Sequence, residues 1–392
     1  MKKHISIILL SLAAMNAGAQ GLFPEVLSQI EANSLELKAM QALREADVLD
    51  ARTGLTPADP EVEYSYLWGK PEEIGNRQDI SITQELDFPT AYVNRRRYAD
   101  SKSREIENEY LEKRMELLLQ AQDLCVELIC RNALYEVCRK QTENAQIIAD
   151  AYKDLSRTGS ANAIDSNKAR MNLATMQDRL SRIALEREKL VAELKRMNGG
   201  MPVSLDSSSF PEVVLPASFQ SLVDECEAAS PSLAYYESLK KSADDNLRTV
   251  RSESMPKWSV GYTGEFVSGE NFRGITVGLN IPLWENRNRI RQARAQAIAA
   301  VTGADDARAD YLSDLEILYS EAVSLKQSVR AYSDAIDSAS NSELLLKAWQ
   351  GGQIGLLDYM QEMEYSFECS ERMIETQRDL LLAAGRLQAF RL

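Results

Sequence analysis

The residue types that most often carry chemistry are scarce in this sequence. Its only histidine is His4, which lies within a short apolar N-terminal stretch of the secretory-signal type. If that stretch is removed, the mature chain holds no imidazole, which excludes serine–histidine and cysteine–histidine catalysis and every histidine-ligated metal. A nucleophile elbow and a phosphate-binding glycine loop are also missing from the sequence. The sequence therefore predicts a protein that is not an enzyme and that needs no metal or other cofactor.

The cysteines do not form a recognisable metal-binding or disulfide pattern. Cys125, Cys130 and Cys138 fall on one predicted helix, with spacings of five and eight residues. Five residues turn a helix by roughly 140°, so these thiols do not converge on one ion. Cα atoms so far apart on a helix are also beyond disulfide reach. The sequence instead predicts small buried side chains here, and it predicts that methionines at helical spacing are core residues rather than copper ligands.

The N-terminus and the charge indicate where the protein works. Lys2 and Lys3 precede the apolar run Ile5–Ala14, and small residues follow at Ala17–Ala19. This pattern predicts a signal peptide over residues 1–19, and the run is too short to span a bilayer.

The formal net charge is -14, which argues against a nucleic-acid partner, because phosphate contacts need an excess of lysine and arginine.

The remaining candidates for function are aspartates beside glycine turns. Gly159 stands six residues before Asp165 in TGSANAID, and Gly352 stands six residues before Asp358 in GGQIGLLD. Aspartate in the first turn of a helix is favoured as a cap and by the helix dipole, by about 0.3–1 kcal/mol. A capping role and a functional role of these carboxylates both remain open at this stage.

The elements that position these turns occur twice in the chain. Residues 79–97 and 273–291 each read as a strand with alternating apolar residues, then a proline, then a long helix. Each copy has the predicted order helix, β-hairpin and two long helices, and the offset between the copies is about 195 residues. The sequence thus predicts a first structural repeat over 20–200, a connector over 201–216 and a second repeat over 217–392.

The four predicted strands each carry one apolar face. In an outer membrane, strands of about 9–11 residues with alternating apolar and polar residues are the spanning solution, and the smallest closed barrel has eight strands. Four strands cannot close a barrel, so several chains must share one, and three chains would supply twelve strands. Aromatic residues at or near the strand ends are typical of interfacial girdles; they are Trp68, Phe88, Trp258, Phe266 and Trp284.

This pattern resembles the TolC-like outer membrane efflux proteins over essentially the whole mature chain. The resemblance depends on the duplicated element order, the strand–proline–helix junctions at Pro89 and Pro282, and the two glycine–aspartate turns. It implies an α+β membrane protein built by internal duplication. Three chains would form a twelve-stranded β-barrel with four strands per chain, continued by a long α-helical coiled-coil barrel. It also implies the outer membrane of a Gram-negative bacterium as the location, with outer membrane lipid around the barrel and a large periplasmic portion.

The resemblance also implies partners and site residues. The protein would be the exit duct of a tripartite efflux pump, contacting a periplasmic adaptor and an inner-membrane transporter. Two alternatives stay open: the exit duct of a type I protein secretion system, and a periplasmic coiled-coil scaffold. The periplasmic gate would be formed by Asp165 and Asp358, with Glu362 one helical turn further on. The adaptor-docking turns would contain Arg157, Gly159, Gly351, Gly352 and Gly355.

Overall fold

The computed structural model describes residues 22–70, 75–159, 162–267, 269–284, 286–338 and 342–392, so the predicted signal peptide lies outside the described residues. Within them the chain is mainly helical, with one four-stranded sheet. The helices are α1 (Pro24–Asn33), α2 (Leu35–Ala51), α3 (Pro89–Arg157), α4 (Ala163–Met197), α5 (Phe219–Ala229), α6 (Pro231–Glu253), α7 (Arg287–Ser338), α8 (Ser342–Gln350) and α9 (Leu356–Leu387). The strands are β1 (Glu61–Leu67), β2 (Arg77–Leu86), β3 (Lys257–Val267) and β4 (Glu270–Asn280).

The first helix of each predicted repeat is divided in two. A single helix is predicted from about 24 to 52, but it breaks at Ser34, whose hydroxyl accepts a hydrogen bond from the N–H of Leu37 at 3.3 Å. The corresponding helix of the second repeat breaks at Ser230, directly before Pro231. The residue before a proline is driven away from the helical conformation, so α5 ends there and α6 begins with the proline.

The long helices are present, and one of them is shorter than the sequence predicts. The helix α3 has 69 residues and α4 has 35, close to the predicted ranges. In the second repeat one helix is predicted over about 283–349. Its described parts are α7, which begins at Arg287 rather than near 283 and extends to Ser338, and α8, Ser342–Gln350; residues 339–341 lie outside the described residues.

The chain divides into two compact units. Unit 1 comprises residues up to Lys38, Lys113–Ser230 and Leu312–Leu392. Unit 2 comprises Ala39–Glu112 and Pro231–Tyr311. Each unit takes segments from both predicted repeats, so the boundaries of the compact units do not follow those of the repeats.

The core of unit 1 follows the coiled-coil spacing of α4 and α9. Phe367 and Ile374, seven residues apart on α9, pack with Ile183 of α4 and with Cys130 and Cys138 of α3. On α4, apolar residues recur at three- and four-residue spacing from Leu173 to Met197, and Arg187 takes the one polar position of that series. Its guanidinium lies 4.6 Å from the ring centre of Tyr135 and donates to Asn132 Oδ1 at 2.7 Å, so it has an aromatic contact and a hydrogen-bond acceptor.

The cysteines are part of this packing. Cys125, Cys130, Cys138 and Cys226 are buried, and none of the five cysteines, Cys369 included, forms a disulfide. Burial raises the pKa of Cys125 to about 12 and that of Cys130 to about 11, so these thiols stay protonated and unreactive at neutral pH.

The sheet lies in unit 2 and joins the two repeats. Its strand order is β1-β2-β3-β4, and every neighbouring pair is antiparallel. Each repeat contributes one hairpin, and β2 pairs with β3 over ten residues from Arg77 opposite Val267 to Leu86 opposite Trp258. The four strands therefore form one continuous sheet rather than two separate hairpins.

Candidate functional site: a sheet with one apolar face, and two glycine turns

One face of the sheet is apolar across all four strands. The register places Val62 opposite Ile82, Ile82 opposite Tyr262, and Tyr262 opposite Ile275. Because side chains alternate along a strand, these residues share one face. They are exposed in the single chain: Ile275 is 80% and Val62 is 65% exposed. The same face carries Tyr64, Ile80, Leu86, Trp258, Val260, Phe266, Val277 and Leu279. Its polar residues are Gln84 and, toward the end of the sheet near Trp68, Gln78, Asn271 and Arg273.

The opposite face of the sheet is polar. Arg77 lies 2.8 Å from Asp79 and 3.2 Å from Glu265, which forms a cross-strand ion-pair network. The hydroxyls of Thr263 and Thr276 are 3.2 Å apart. This face is more acidic than basic. Its acids are Glu61, Glu63, Asp79, Glu85, Glu265 and Glu270, and its bases are Arg77 and Lys257.

Both outer edges of the sheet are open. The edge strands β1 and β4 pair on one side only, with β2 and β3 respectively. An unpaired edge presents a row of free N–H and C=O groups, which in lipid would cost several kcal/mol each. Since β1 leaves the helices and β4 returns to them, the β4 edge of one chain can pair antiparallel with the β1 edge of another.

The aromatic residues named from the sequence lie toward both ends of the strands. Trp68 follows β1 and Phe266 lies near the same end of the sheet, while Phe88, Trp258 and Trp284 lie near the end from which the helices continue. Eight residues separate Trp258 from Phe266, about 26 Å of extended strand. This is close to the apolar band of about 25 Å found in outer-membrane barrels. Trp68 and Trp284 are each 80% exposed.

The first glycine turn joins α3 to α4. Gly159 has φ of 76°, a left-handed conformation that glycine adopts without strain. Asn162 caps α4: its side-chain oxygen accepts the N–H of Asp165 at 2.8 Å, and its amide donates to Asp165 Oδ2 at 2.9 Å. The sequence analysis missed Asn162, although asparagine just before a predicted helix is a cap signal. The Arg157 side chain is 77% exposed and lies 3.9 Å from Asp154.

The second glycine turn joins α8 to α9. The N–H of Gly351 donates to the carbonyl of Lys347, and Gly352 follows with φ of 68°. Gly355 precedes α9 in an extended conformation, and its N–H donates to Asp358 Oδ2 at 3.3 Å. The carboxylate of Asp358 therefore has a capping contact, as that of Asp165 has in the first turn.

The three predicted gate carboxylates differ in exposure. Asp358 and Glu362 are exposed and lie four residues apart on α9, which brings two like charges to neighbouring positions on one helix face. Asp165 is half-buried. The capping contacts leave most of the charge of Asp358 facing solvent, and its role in a gate stays a prediction.

An aromatic cluster that the sequence analysis did not identify lies beside the second turn. The ring of Trp349 is 5.9 Å from that of Tyr152 and 6.1 Å from that of Tyr359. Leu356, Ile148 and both tyrosines pack in the same cluster. Tyr359 is 2% exposed, and among the described residues its hydroxyl has no hydrogen-bond partner. Burial raises the pKa of Tyr359 to about 12.

We expect Tyr359→Phe to raise stability, most clearly at alkaline pH. An unpartnered buried hydroxyl costs about 1–3 kcal/mol, and phenylalanine keeps the ring packing without it. Above pH 10 the unfolded chain loses this proton more readily than the folded chain, so the folded state loses stability as pH rises from 10 toward 12. Thermal unfolding of the unmodified protein and of the Tyr359→Phe variant between pH 8 and pH 11 measures this difference in stability. Tyr365→Phe, at a 67% exposed position, is the matched control, and equal shifts in both variants would contradict the prediction.

The two strand-to-helix junctions differ. Pro89 is the first residue of α3, as predicted. Pro282 lies between β4 and α7 but does not begin the helix, so the prediction of a helix directly after it is wrong. The helix begins at Arg287, and the carbonyl of Asn286 accepts the N–H of Ile290 at 3.1 Å. A proline permits a helix start but does not force one, and an asparagine further on is the better cap.

Ion pairs lock the Pro89 junction inside unit 2. Arg95 contacts Asp87 at 2.7 Å and Glu253 at 2.7 Å, and Lys257 of β3 lies 3.4 Å from Asp87. Attraction to the two carboxylates raises the pKa of Arg95 despite its burial, so it stays charged. These ion pairs connect the start of α3 to the end of α6 and to the polar face of the sheet.

Within the described residues, no group of three or more histidine, cysteine, aspartate or glutamate side chains is placed to bind a metal ion. None of the described helices combines the length and the hydropathy that a membrane crossing requires.

The fold matches solved outer-membrane channels over nearly the whole chain. The channel OprN superposes with a TM-score of 0.78 at 14% identity, over 94% of this chain and 89% of that one. The Campylobacter jejuni channel CmeC gives 0.77 at 14% identity, over 93% and 84%. The Vibrio cholerae outer membrane protein VceC gives 0.75 at 13% identity, over 93% and 95%.

Sequence comparison alone does not find these proteins. No protein-family description matches the chain, and no curated protein matches it. The chain nevertheless has the fold of the outer-membrane channels, with a four-stranded antiparallel sheet and long helices. The resemblance to the TolC-like outer membrane efflux proteins inferred from the sequence is confirmed at the level of the fold.

Proposed function

We propose that this chain is the outer-membrane exit duct of a tripartite efflux pump. The observation that carries the proposal is the sheet: an apolar face exposed across four strands, a polar face behind it and two open edges. In water such a face and such edges would aggregate. In a membrane, lipid would cover the apolar face, and another copy of the chain would supply hydrogen-bond partners at each open edge. The likeness of the fold to solved outer-membrane channels supports the same conclusion.

Three copies of the chain are enough to close the sheet into a barrel. Four strands per chain give a twelve-stranded barrel, an even number as bacterial outer-membrane barrels require. The β4 edge of each copy pairs with the β1 edge of the next, so every backbone group in the membrane finds a partner. The polar face then lines a water-filled passage through which cargo moves without any chemical step. A periplasmic scaffold would leave the apolar face uncovered, so this sheet disfavours that alternative.

The proposal is tested by measuring the mass and the cellular location of the assembled protein. We expect the mature chain to fractionate with the outer membrane and to run as a trimer in native mass spectrometry from mild detergent. Trimers reconstituted in a planar bilayer should conduct ions. A detergent-solubilised monomer that still spans the membrane would overturn the twelve-strand arrangement, and a soluble periplasmic protein would overturn the duct.

The glycine turns are the proposed docking site for a periplasmic adaptor. Gly355 offers the sharper test, because its backbone is extended and a Cβ there would meet only Asp358 Oδ2, at 3.4 Å. Gly352, with its left-handed backbone, would be strained by any side chain. Gly355→Trp therefore adds bulk at the turn with little backbone strain.

We expect Gly355→Trp to abolish export in cells and leave trimers intact. Export is measured by the cellular tolerance of a pump substrate, and trimers by native mass spectrometry. Gly355→Ala is the matched control and should export normally. Normal export by the tryptophan variant would place adaptor docking elsewhere. The adaptor and transporter that co-purify with the unmodified protein decide between efflux and type I secretion.

A further inference from the structure

A basic groove lies in unit 2 on the side of α3 away from the polar face of the sheet. It has a volume of about 340 Å³ between α3 and α6. Its exposed bases are Arg96, Arg97 and Arg104 of α3 and Lys241 of α6, while its acids are Asp100 and Asp245. Among the described residues, no carboxylate lies within ion-pair distance of the three arginines. In a chain whose net charge is -14, this local excess of positive charge indicates a binding site for an anion.

The orientation of the groove follows from Arg95. This residue contacts Asp87, which also binds Lys257 on the polar face of the sheet. Nine residues turn an α-helix by about 180°, so Arg104 projects from the opposite side of α3. The groove therefore lies on the side to which the apolar face of the sheet points. If that face contacts lipid, as proposed above, the groove opens toward the membrane and not toward the passage.

The end of the groove nearest the sheet lies close to the depth of lipid headgroups. Arg96 and Arg97 are about 10–12 Å along α3 from the end of the sheet, whereas Arg104 is about 22 Å from it. The polar layer on each side of a bilayer is about 5–8 Å thick. Side chains on a helix tilt toward its N-terminus, which here is the sheet end, so Arg96 and Arg97 reach back toward the headgroups, and Arg104 extends the positive surface into the periplasm. Val93, 61% exposed, supplies an apolar contact at the edge nearest the sheet.

A buried carboxylate in the interior of the groove lies near Lys241. Asp245 is 2% exposed, and its Oδ2 lies 4.0 Å from Lys241 Nζ without a hydrogen-bond partner among the described residues. A buried carboxylate attracts the ammonium group over the groove without neutralising it through a short contact. The three arginines supply forked donors suited to phosphate oxygens.

The geometry points to a binding site for the phosphate of an anionic glycerophospholipid in the periplasmic leaflet. This inference relies on the proposed outer-membrane location. The site would anchor each copy at a fixed depth and hold the junction of sheet and helix against the leaflet. Basic groups at a membrane surface strengthen the binding of anionic lipid.

The test compares lipids on the purified full-length trimer. Native mass spectrometry in neutral detergent measures the binding of phosphatidylglycerol and of phosphatidylcholine to the unmodified protein. The same titration is made with Arg96, Arg97 and Arg104 all changed to Gln. The matched control changes Arg182, Lys189 and Arg196 of α4 to Gln, which removes the same charge from exposed positions in unit 1.

We expect preferential binding of phosphatidylglycerol, weakened at least about tenfold in the α3 variant and unchanged in the α4 variant. Equal binding by both variants, or no preference between the lipids, would overturn the site. Displacement of the lipid by inorganic phosphate would show a free-phosphate site instead. Loss of the trimer in the α3 variant without lipid would show that a second copy covers the groove. Conductance of the unmodified trimer tests the duct separately, so the two proposals can fail independently.

Discussion

Ile275→Arg is expected to prevent assembly of the protein in the outer membrane. Ile275 lies at the centre of β4 on the apolar face and is 80% exposed. An arginine on the lipid face at the bilayer midplane costs about 2–4 kcal/mol, and a trimer carries that cost three times. We expect less than a tenth of the variant to reach the outer membrane as trimer, measured by fractionation and native mass spectrometry.

The neighbouring residue provides the control for this experiment. Thr276 lies next to Ile275 but projects from the polar face, where it meets Thr263. Thr276→Arg places the same charge one residue away, in the proposed water-filled passage, and should assemble normally. Failure of both variants would indicate a general defect of β4. Normal assembly of both would show that the apolar face does not contact lipid.

Asp358→Asn is expected to weaken the cation preference of the conducting trimer at a smaller cost in stability than a variant that also loses the capping contact. In three copies, Asp358 with the adjacent Glu362 would form an acidic ring, which attracts cations and binds divalent cations that block the pore. Asparagine removes the charge, but its side-chain oxygen can still accept the N–H of Gly355 that Asp358 now accepts at 3.3 Å. Planar-bilayer recordings would measure selectivity and block by divalent cations from the periplasmic side.

Two further variants separate the gate from the cap. Asp358→Ala removes both charge and hydrogen-bond acceptor, so it should lose selectivity and also about 0.3–1 kcal/mol of stability. Asp165→Asn tests whether the half-buried carboxylate of the first turn contributes to the ring. If Asp358→Asn retains full selectivity and block while Asp358→Ala is merely less stable, Asp358 is a cap and is not part of the gate.

Much of the fold could be predicted from the sequence because the evidence was local. Alternation along Ile275, Val277 and Leu279 predicts a strand with one apolar face in any context. The recurrence of Phe367, Ile374 and Leu381 every seven residues predicts a packed helix, and these side chains are indeed buried. The strand–proline–helix pattern predicted the start of α3 at Pro89 correctly.

The predicted helix boundaries differ from the structure where a local sequence signal is compatible with more than one boundary. Pro282 resembles Pro89 in sequence, yet α7 begins only at Arg287. Ser34 and Ser230 interrupt helices whose apolar periodicity continues across them. At Ser34 a capping hydrogen bond, worth about 1 kcal/mol, marks the boundary, and at Ser230 the following proline ends the helix. Apolar periodicity carries neither signal.

The sequence by itself determined the element order, the two faces of each strand and the fact that His4 is the only histidine. Only the tertiary structure decided that β2 pairs with β3, which merges two hairpins into one sheet with two open edges. It also decided that Asn162 caps Asp165, that Tyr359 is buried beside Trp349, and that Arg96, Arg97 and Arg104 share a groove with Lys241. The physical reason is separation along the chain. Periodicity reports which face of one element is apolar, whereas contacts between residues far apart in sequence depend on how the elements pack.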